Sequence, residues 1–360
     1  MKDTIFSEIK RASKVKSLFL QIFDIIRHKI KINTSPIDYY RYEFYRNDIT
    51  WEEKSRYLGK RCSNFYPYQN NSVRFVSLFD NKYIFSTMLS GFGIPHPKLL
   101  ATIGEDYQIK TFEQFRTFLE ENKMDMVLKP LDGSGGRGVI VLNFKNNNHC
   151  VLEGPCSSSG MWEQIMAGKK SPHPYLIEER IDQDDSVSML YPYSLNTMRV
   201  ITVKTKDKEW NLLGARLRVG QKGQVDNLGA GGIQLRFDDS GKSWFAYDWA
   251  SGKEISRHPI TKAELIGFQV PQYHEAIALA LKASEKFSFM GTVGWDIGFS
   301  KHGPMIIEGN IFYDCLYWQL FGQPPLIPPD IAGKLKRHRW WQRWDKTAMY
   351  PNCNRYKIKG

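Results

Sequence analysis

An α+β architecture is the fold class this sequence predicts, and three observations carry it. Short apolar and β-branched runs mix with helical stretches, with no internal repeat. A glycine-rich loop, Pro130 to Gly138, separates two strand-like runs, Met126–Lys129 and Val139–Phe144, so it reads as a loop joining antiparallel strands. Near the end, Asp296 lies in one apolar run (292–299), and Glu308 and Asn310 lie in the next (305–310). Residues two apart on a strand share a face, so Glu308 and Asn310 point the same way, beside Asp296 on a neighbouring strand.

Each element follows from its own pattern. Residues 5–31 repeat Ile5, Ile9, Ala12, Val15, Leu18, Phe19, Ile22, Phe23, Ile26 and Ile30 at mostly three- and four-residue spacing, which predicts a helix. Lys10, Arg11, Lys14, Arg27, Lys29 and Lys31 interleave them. A basic amphipathic helix of this kind either lies on a membrane surface or packs on its own domain. Residues 36–75 are aromatic and irregular, with a helical piece at Asp48–Tyr57. Helices are expected at Asp80–Phe92, where Gly91 and Gly93 stop the pattern, at Phe112–Asn122 and at Gln272–Phe287. Residues 145–160 are polar and read as a loop, and Tyr175–Ile181 as a strand or hinge. Further strands are expected at Arg199–Lys204, Leu212–Val219, Gly232–Phe237, Val293–Phe299 and Met305–Glu308.

Composition narrows the class. The 360 residues are 42% hydrophobic and 24% charged, which fits a globular chain with a substantial core rather than disorder. The five cysteines, Cys62, Cys150, Cys156, Cys315 and Cys353, form no C-x-x-C pair, and their odd count argues against a disulfide framework or a zinc site. No secretory signal fits, and no run of about 18 apolar residues could span a bilayer. A cytoplasmic location follows as the default, with the inner face of the membrane as an extension of it. The net charge of +12 lies at the ends: +5 over residues 1–31, +8 over 331–360 and −1 between them. Basic ends suit anionic lipid, a polyanionic substrate or nucleic acid, or serve simply as a solubilising face. Trp340, Trp341 and Trp344 among Arg337, Arg339 and Arg343 fit the same readings.

The chemistry-bearing residues point toward phosphate. Gly133, Gly135 and Gly138 spell G-x-G-x-x-G, but a strand follows instead of a helix, which excludes a dinucleotide-binding turn, and no Lys-Ser/Thr pair makes it a P-loop. A glycine loop between two strands, with Ser134, Gly136 and Arg137 in it, suits a flap whose backbone N–H groups close over phosphates. Lys129, in an apolar strand just before it, needs an anionic partner. Asp296, Glu308 and Asn310 offer only oxygen ligands, the set that a hard cation such as Mg2+ prefers.

In order along the chain stand Lys82 with Gly93-Ile94-Pro95-His96-Pro97, Lys129-Pro130 with the glycine loop, the Ile177–Ile181 hinge, Asp296, and Glu308-Gly309-Asn310. This series resembles the ATP-grasp superfamily over roughly residues 70–325. The runs Ser194–Val200, Arg216–Gly220, Asp226-Asn227 and Gly231–Ile233 look like its sugar-transfer-associated branch, linked to polysaccharide biosynthesis; D-alanine ligases and amino-acid ligases are similar at greater distance. The resemblance implies a first grasp subdomain with the lid over 76–180 and a second with the metal site over 181–325; the N-terminal helical region over 1–75, whose first 70 residues carry no such resemblance, and the basic tail over 326–360 are read from the sequence itself. The resemblance further implies ATP with two Mg2+ ions, or Mn2+ in their place. Lys82, Lys129 and the Gly133–Gly138 lid with Ser134 would meet the phosphates. Glu178 and the backbone of Glu179 to Ile181 would meet adenine, and Asp185 the ribose. Asp296, Glu308 and Asn310 would hold metal. Gly294 stands where D-alanine ligases carry an arginine, so Arg199, Arg216 and Arg218 are the candidates for stabilising the transition state. The implied reaction is a carboxylate–amine ligation through an acyl phosphate, on a uronic acid or other sugar carboxylate, or an amino acid, with an amine. A grasp-type kinase acting on a sugar hydroxyl and a non-catalytic nucleotide-binding, membrane-associated protein are the alternatives; nucleic-acid binding ranks below both, for want of a recognisable module.

Overall fold

The computed structural model describes residues 15–59, 70–132, 135–145, 148–151, 154, 157–167, 174–313, 318–319, 325–329 and 332. The tryptophan-rich tail, Gly133, Ser134 and residues 1–14 lie outside them. Two antiparallel sheets dominate. The first contains β1 (Leu99–Ile103), β2 (Met126–Pro130), β3 (Ile140–Lys145), β4 (Asn148–Val151) and β5 (Tyr175–Glu179), in the order β1-β5-β2-β3-β4. The second contains β6 (Thr197–Lys204), β7 (Trp210–Val219), β8 (Ile233–Phe237), β9 (Ser243–Asp248), β10 (Lys253–Glu254), β11 (Thr292–Ser300) and β12 (Gly303–Asn310), in the order β10-β9-β8-β7-β6-β11-β12. The glycine loop joins β2 to β3, its hairpin partner, as expected for a flap.

Each sheet has its own core. Met126, Leu128, Ile140, Leu142 and Ile177 pack on the helices Phe112–Glu121 and Ser158–Met166. Behind the second sheet, Met198, Val200, Leu217, Leu235, Val293 and Trp295 pack on the helix Tyr273–Lys286 through Ala276, Ala280 and Ala283. Trp295 is fully buried, and its indole N–H donates to Thr202 Oγ1 (3.0 Å) and Ser284 Oγ (2.9 Å), so its one polar atom is satisfied. Phe79, Phe85 and Leu89, from the helices Val76–Asp80 and Lys82–Gly91, join this second core although they precede the first sheet in the chain. Phe79 and Phe85 press on β12 at Gly309, where any Cβ would lie 2.8 Å from the Phe79 ring.

The N-terminal region folds on the opposite, cavity-side face of the second sheet. Tyr39, Tyr42, Phe44 and Tyr57 form an aromatic core. Leu58 packs with Ile201, Val203, Tyr313 and Trp318, and its backbone exchanges hydrogen bonds with Gln319, at 2.8 and 3.0 Å.

Several boundaries differ from the sequence-based expectation. The first described helix begins at Leu18, because Ser17 caps it and Val15 pairs with Arg46. The expected loop at 145–160 holds β4 and the start of the Ser158–Met166 helix; polar composition hid a short edge strand and a serine-capped helix. Strands β9 and β10 and the helix Asp185–Leu190 were also not anticipated. Cys150 is disulfide-bonded, against the expectation that the cysteines form no disulfide framework, and its partner lies outside the described residues. No helix among the described residues is long and apolar enough to cross a membrane.

Candidate functional site

One cavity of about 670 Å³ lies between the two sheets. From the first sheet and its lid come Lys129, Gly135, Gly136, Arg137 and Glu178; from the second come Thr197, Arg199, Arg218, Asp296, Glu308 and Asn310. Lys82 reaches it from the start of its helix, where the Asn81 side chain accepts from the N–H groups of Tyr83 and Ile84 and so fixes the first turn. The hinge residues Glu179, Arg180 and Ile181 and the helix-start residue Asp185 line the same space. The hinge uses two of its N–H groups within the protein itself, Glu179 N–H to Lys98 O (3.0 Å) and Arg180 N–H to Asp125 O (3.1 Å). Ile181 N–H has no such partner among the described residues.

Strand register builds the polar wall. Asp296 pairs across to Glu308 on one side and Arg199 on the other, and Thr197 pairs with Arg218, so all point from one face. Arg199 grips both oxygens of Asp296, with Nη2 3.0 Å from Oδ2. Arg218 Nη2 lies 3.0 Å from the same Oδ2, and Asn310 Nδ2 donates to it at 3.2 Å. Burial raises the Asp296 carboxyl, but the two guanidiniums outweigh it and hold the group below the usual carboxylate range. Burial likewise opposes the Arg218 charge, and Asp226 and Asp296 outweigh that too, so its pKa is raised.

Behind Arg218 stands a supporting chain. Its Nη2 donates to Thr197 Oγ1 (2.5 Å), and that hydroxyl donates to Asp226 Oδ2 (2.5 Å), which also takes the Thr197 N–H (2.8 Å). Burial pushes the Asp226 carboxyl up further than Arg218 and Thr197 pull it down. Fully buried Asn196 ties the preceding loop to the sheet: its amide donates to Val187 O and Tyr191 O and accepts from Gly220 N–H. Thr197, Asp226 and Asn196 were seen in the sequence only as parts of conspicuous runs, and no motif signalled that they position an arginine.

Arg216, the third arginine of the sequence reading, does not line the cavity. It stands opposite Arg199 in register, but its guanidinium donates to the carbonyl of Ala215 (2.6 Å) and lies 4.8 Å over the Trp318 ring. Burial, with repulsion from Arg236, drives its pKa well below the ordinary value. Arg199 takes the space that Gly294 leaves open: a Cβ on Gly294 would lie 3.3 Å from Arg199 Cδ.

The lid sits against the second sheet. Gly135, Gly136 and Gly138 all have φ near +70°, the left-handed region that glycine adopts without strain. A Cβ on Gly136 would meet Val225 Cγ1 at 2.4 Å, and Asn227 Nδ2 donates to Gly135 O (3.4 Å). Lys129 pairs with Glu178 at 2.6 Å, and Lys82 with Glu308 at 3.6 Å, so each lysine already faces an anion.

The donor set fits Mg2+ in chemistry. Two carboxylates and an amide, all oxygen donors, face one cavity, and the described residues hold no cluster of three or more His, Cys, Asp or Glu side chains that would rival it. Both Asp296 oxygens are engaged by guanidiniums, which leaves Glu308 and the amide oxygen of Asn310 as the more open donors. Phosphate oxygens and water would have to complete the shell.

The model of the family described as sugar-transfer associated ATP-grasp matches residues 61–330. The endospore coat-associated protein YheC of Bacillus subtilis (strain 168) is 27% identical over 263 residues, covering 66% of this chain and 67% of that one. Among solved structures, N5-carboxyaminoimidazole ribonucleotide synthetase from Thermus thermophilus is 11% identical with a TM-score of 0.43, covering 74% of this chain and 56% of that one. D-alanine–D-alanine ligase from Bacillus anthracis is 14% identical with a TM-score of 0.36, covering 65% and 57%. The chain spans less than two thirds of the length of these solved structures.

Proposed function

The chain belongs to the sugar-transfer associated ATP-grasp family, and from that premise we propose that it is an ATP-dependent carboxylate–amine ligase acting on a sugar carboxylate or an amino acid in polysaccharide biosynthesis. One observation carries the reading: two lysines, a glycine lid and, on the second sheet, a hard-oxygen set with two arginines line a single cavity. A carboxylate is a poor acylating agent at neutral pH. Transfer of the γ-phosphoryl group of ATP makes it an acyl phosphate; an amine then attacks the carbonyl, phosphate leaves, and an amide remains.

The residues divide this work by position. Lys82 and Lys129 exchange their carboxylate partners for phosphate oxygens. Glu178 and the hinge around Glu179 to Ile181 receive adenine, with the Ile181 N–H open to it, and Asp185 receives the ribose. Gly133 to Gly138 with Ser134 cover the phosphates and exclude water, which would hydrolyse the acyl phosphate. Glu308 and Asn310, with Asp296, would hold Mg2+, which would supply positive charge against the phosphoryl oxygens. Arg199 and Arg218 hold the substrate carboxylate and then the oxyanion, preorganised by Asp296 and the Thr197–Asp226 pair.

Hydroxylamine trapping with Mg-ATP and a panel of uronic acids and amino acids tests the reading. Hydroxamate from one acid, lost in Lys129→Ala, is the expected outcome. ADP release without hydroxamate, with phosphate retained on the acceptor, would instead establish a kinase. No ADP and no nucleotide binding would remove the catalytic reading.

A further inference from the structure

Among the described residues, the large exposed apolar side chains are concentrated on one element. Leu18, Phe19, Ile22, Phe23, Ile26 and Ile30 of the helix Leu18–Ile32 are each between 48% and 79% exposed, and Leu20 is exposed beside them. At about 100° per residue the six fall within one arc of roughly 140°. The other side is already in use: Gln21, His28 and Ile32 are buried, with His28 against Tyr39, Phe44 and Trp51. The helix therefore packs on its own domain by one narrow side and turns its broad apolar side outward. Leaving such side chains in water forgoes about 1.5–3 kcal/mol for each one that burial would cover, and a cluster of this kind marks an interaction surface.

Charge selects the occupant. Arg27, whose guanidinium lies 3.9 Å over the Trp51 ring, and Lys31 are exposed beside the arc. The helix has one acidic residue, Asp24, and it is bound by Lys16 and, at 3.7 Å, by Lys54. The outward face thus offers apolar side chains flanked by cations and no free anion. A second copy of the same face would bring like charges together, whereas anionic headgroups over an apolar layer complement it. At 15 residues the helix is about 22 Å long, too short to span a hydrocarbon core of about 30 Å, so it would lie in the plane of the interface.

We propose that Leu18–Ile32 is an interfacial helix that docks the protein on an anionic lipid bilayer. Its apolar arc enters the headgroup–acyl boundary, and Arg27 and Lys31 meet the lipid phosphates. The mutual hydrogen bonds of Leu58 and Gln319 tie the region carrying this helix to the cavity side of the second sheet, so docking holds the cavity at the membrane surface.

The test is flotation of the full chain with phosphatidylcholine vesicles, with and without phosphatidylglycerol. Flotation with the anionic vesicles, weakened by salt, is expected. The double substitution Phe19→Ser/Phe23→Ser should lower the affinity by about tenfold or more, with an unchanged melting temperature because both side chains are exposed. Arg27→Gln/Lys31→Gln should remove the preference for phosphatidylglycerol. Undiminished flotation of the Phe19→Ser/Phe23→Ser protein would assign binding to the basic termini and overturn the proposal. So would absence of flotation together with a concentration-dependent dimer, read by sedimentation velocity, that the same substitutions abolish.

Discussion

Arg199 and Arg218 share one carboxylate, and that sharing decides what their removal should do. Arg218→Ala is expected to lower turnover by about 10²-fold or more with a smaller change in ATP affinity, read from kcat and from nucleotide titration. Arg216→Ala should leave turnover within a few fold, because its guanidinium is engaged by Ala215 O and Trp318. A large loss there would return the role to Arg216. Glu308→Gln and Asn310→Ala should each abolish turnover without moving the melting temperature, since both side chains face the cavity rather than a core. At this scale the sequence was legible where chemistry is unusual, as for a lysine in an apolar strand or carboxylates between apolar neighbours. Thr197 and Asp226 were not legible as a pair, because a Thr and an Asp twenty-nine positions apart have no pattern until β6 and the segment before β8 bring them together.

At the scale of elements, the lid and the segment that receives it form a matched pair. Gly136→Ala puts a methyl group 2.4 Å from Val225 Cγ1 at a φ of +74°. The variant should raise the KM for ATP by about tenfold. Adding Val225→Ala should recover part of that loss, because it removes the clash but not the backbone strain. Full recovery would show that sterics alone set the effect, and an unchanged KM in the single variant would show that the lid does not seat here during turnover. The glycines announced a loop between paired strands through their flanking runs. The seat at Val225 and Asn227 depends on sheet-to-sheet placement and left no mark in the local sequence.

Across the whole molecule, stability rests on the second core and on the N-terminal aromatic layer. Trp295→Ala removes the largest fully buried side chain among the described residues and opens a cavity in the second core, while Thr202 and Ser284 keep their mutual hydrogen bond, so it should cost about 3–5 kcal/mol, measured by denaturant unfolding. His28 gives the N-terminal layer a pH dependence. Burial, reinforced by the Lys54 charge, lowers its pKa to about 3 from 6.5. The unfolded chain then binds the extra proton first as pH falls, so the stability from neutral His28 is full above pH 6.5 and drains between there and pH 3. At pH 5 the loss is about 2 kcal/mol. Trp51, stacked on His28 at 5.2 Å, should report it as an acid-dependent fluorescence change that His28→Phe removes.

By itself the sequence determined the α+β class and the glycine loop between paired strands, and it singled out Lys129, Asp296 and Glu308, because each of these rests on local periodicity or on a residue type that its surroundings would otherwise reject. Helix starts were less accessible: Ser17 and Ser157 begin elements by side-chain caps that composition does not reveal. Only the tertiary structure decided which arginines face the cavity, since alternation places Arg216 and Arg218 on the same strand face and the ring of Trp318 takes one of them away. It also decided that Lys82–Gly91 packs on the second sheet, and that the first described helix turns its apolar side to solvent, because the orientation of that helix depends on which of its side chains meet the distant Tyr39 and Phe44.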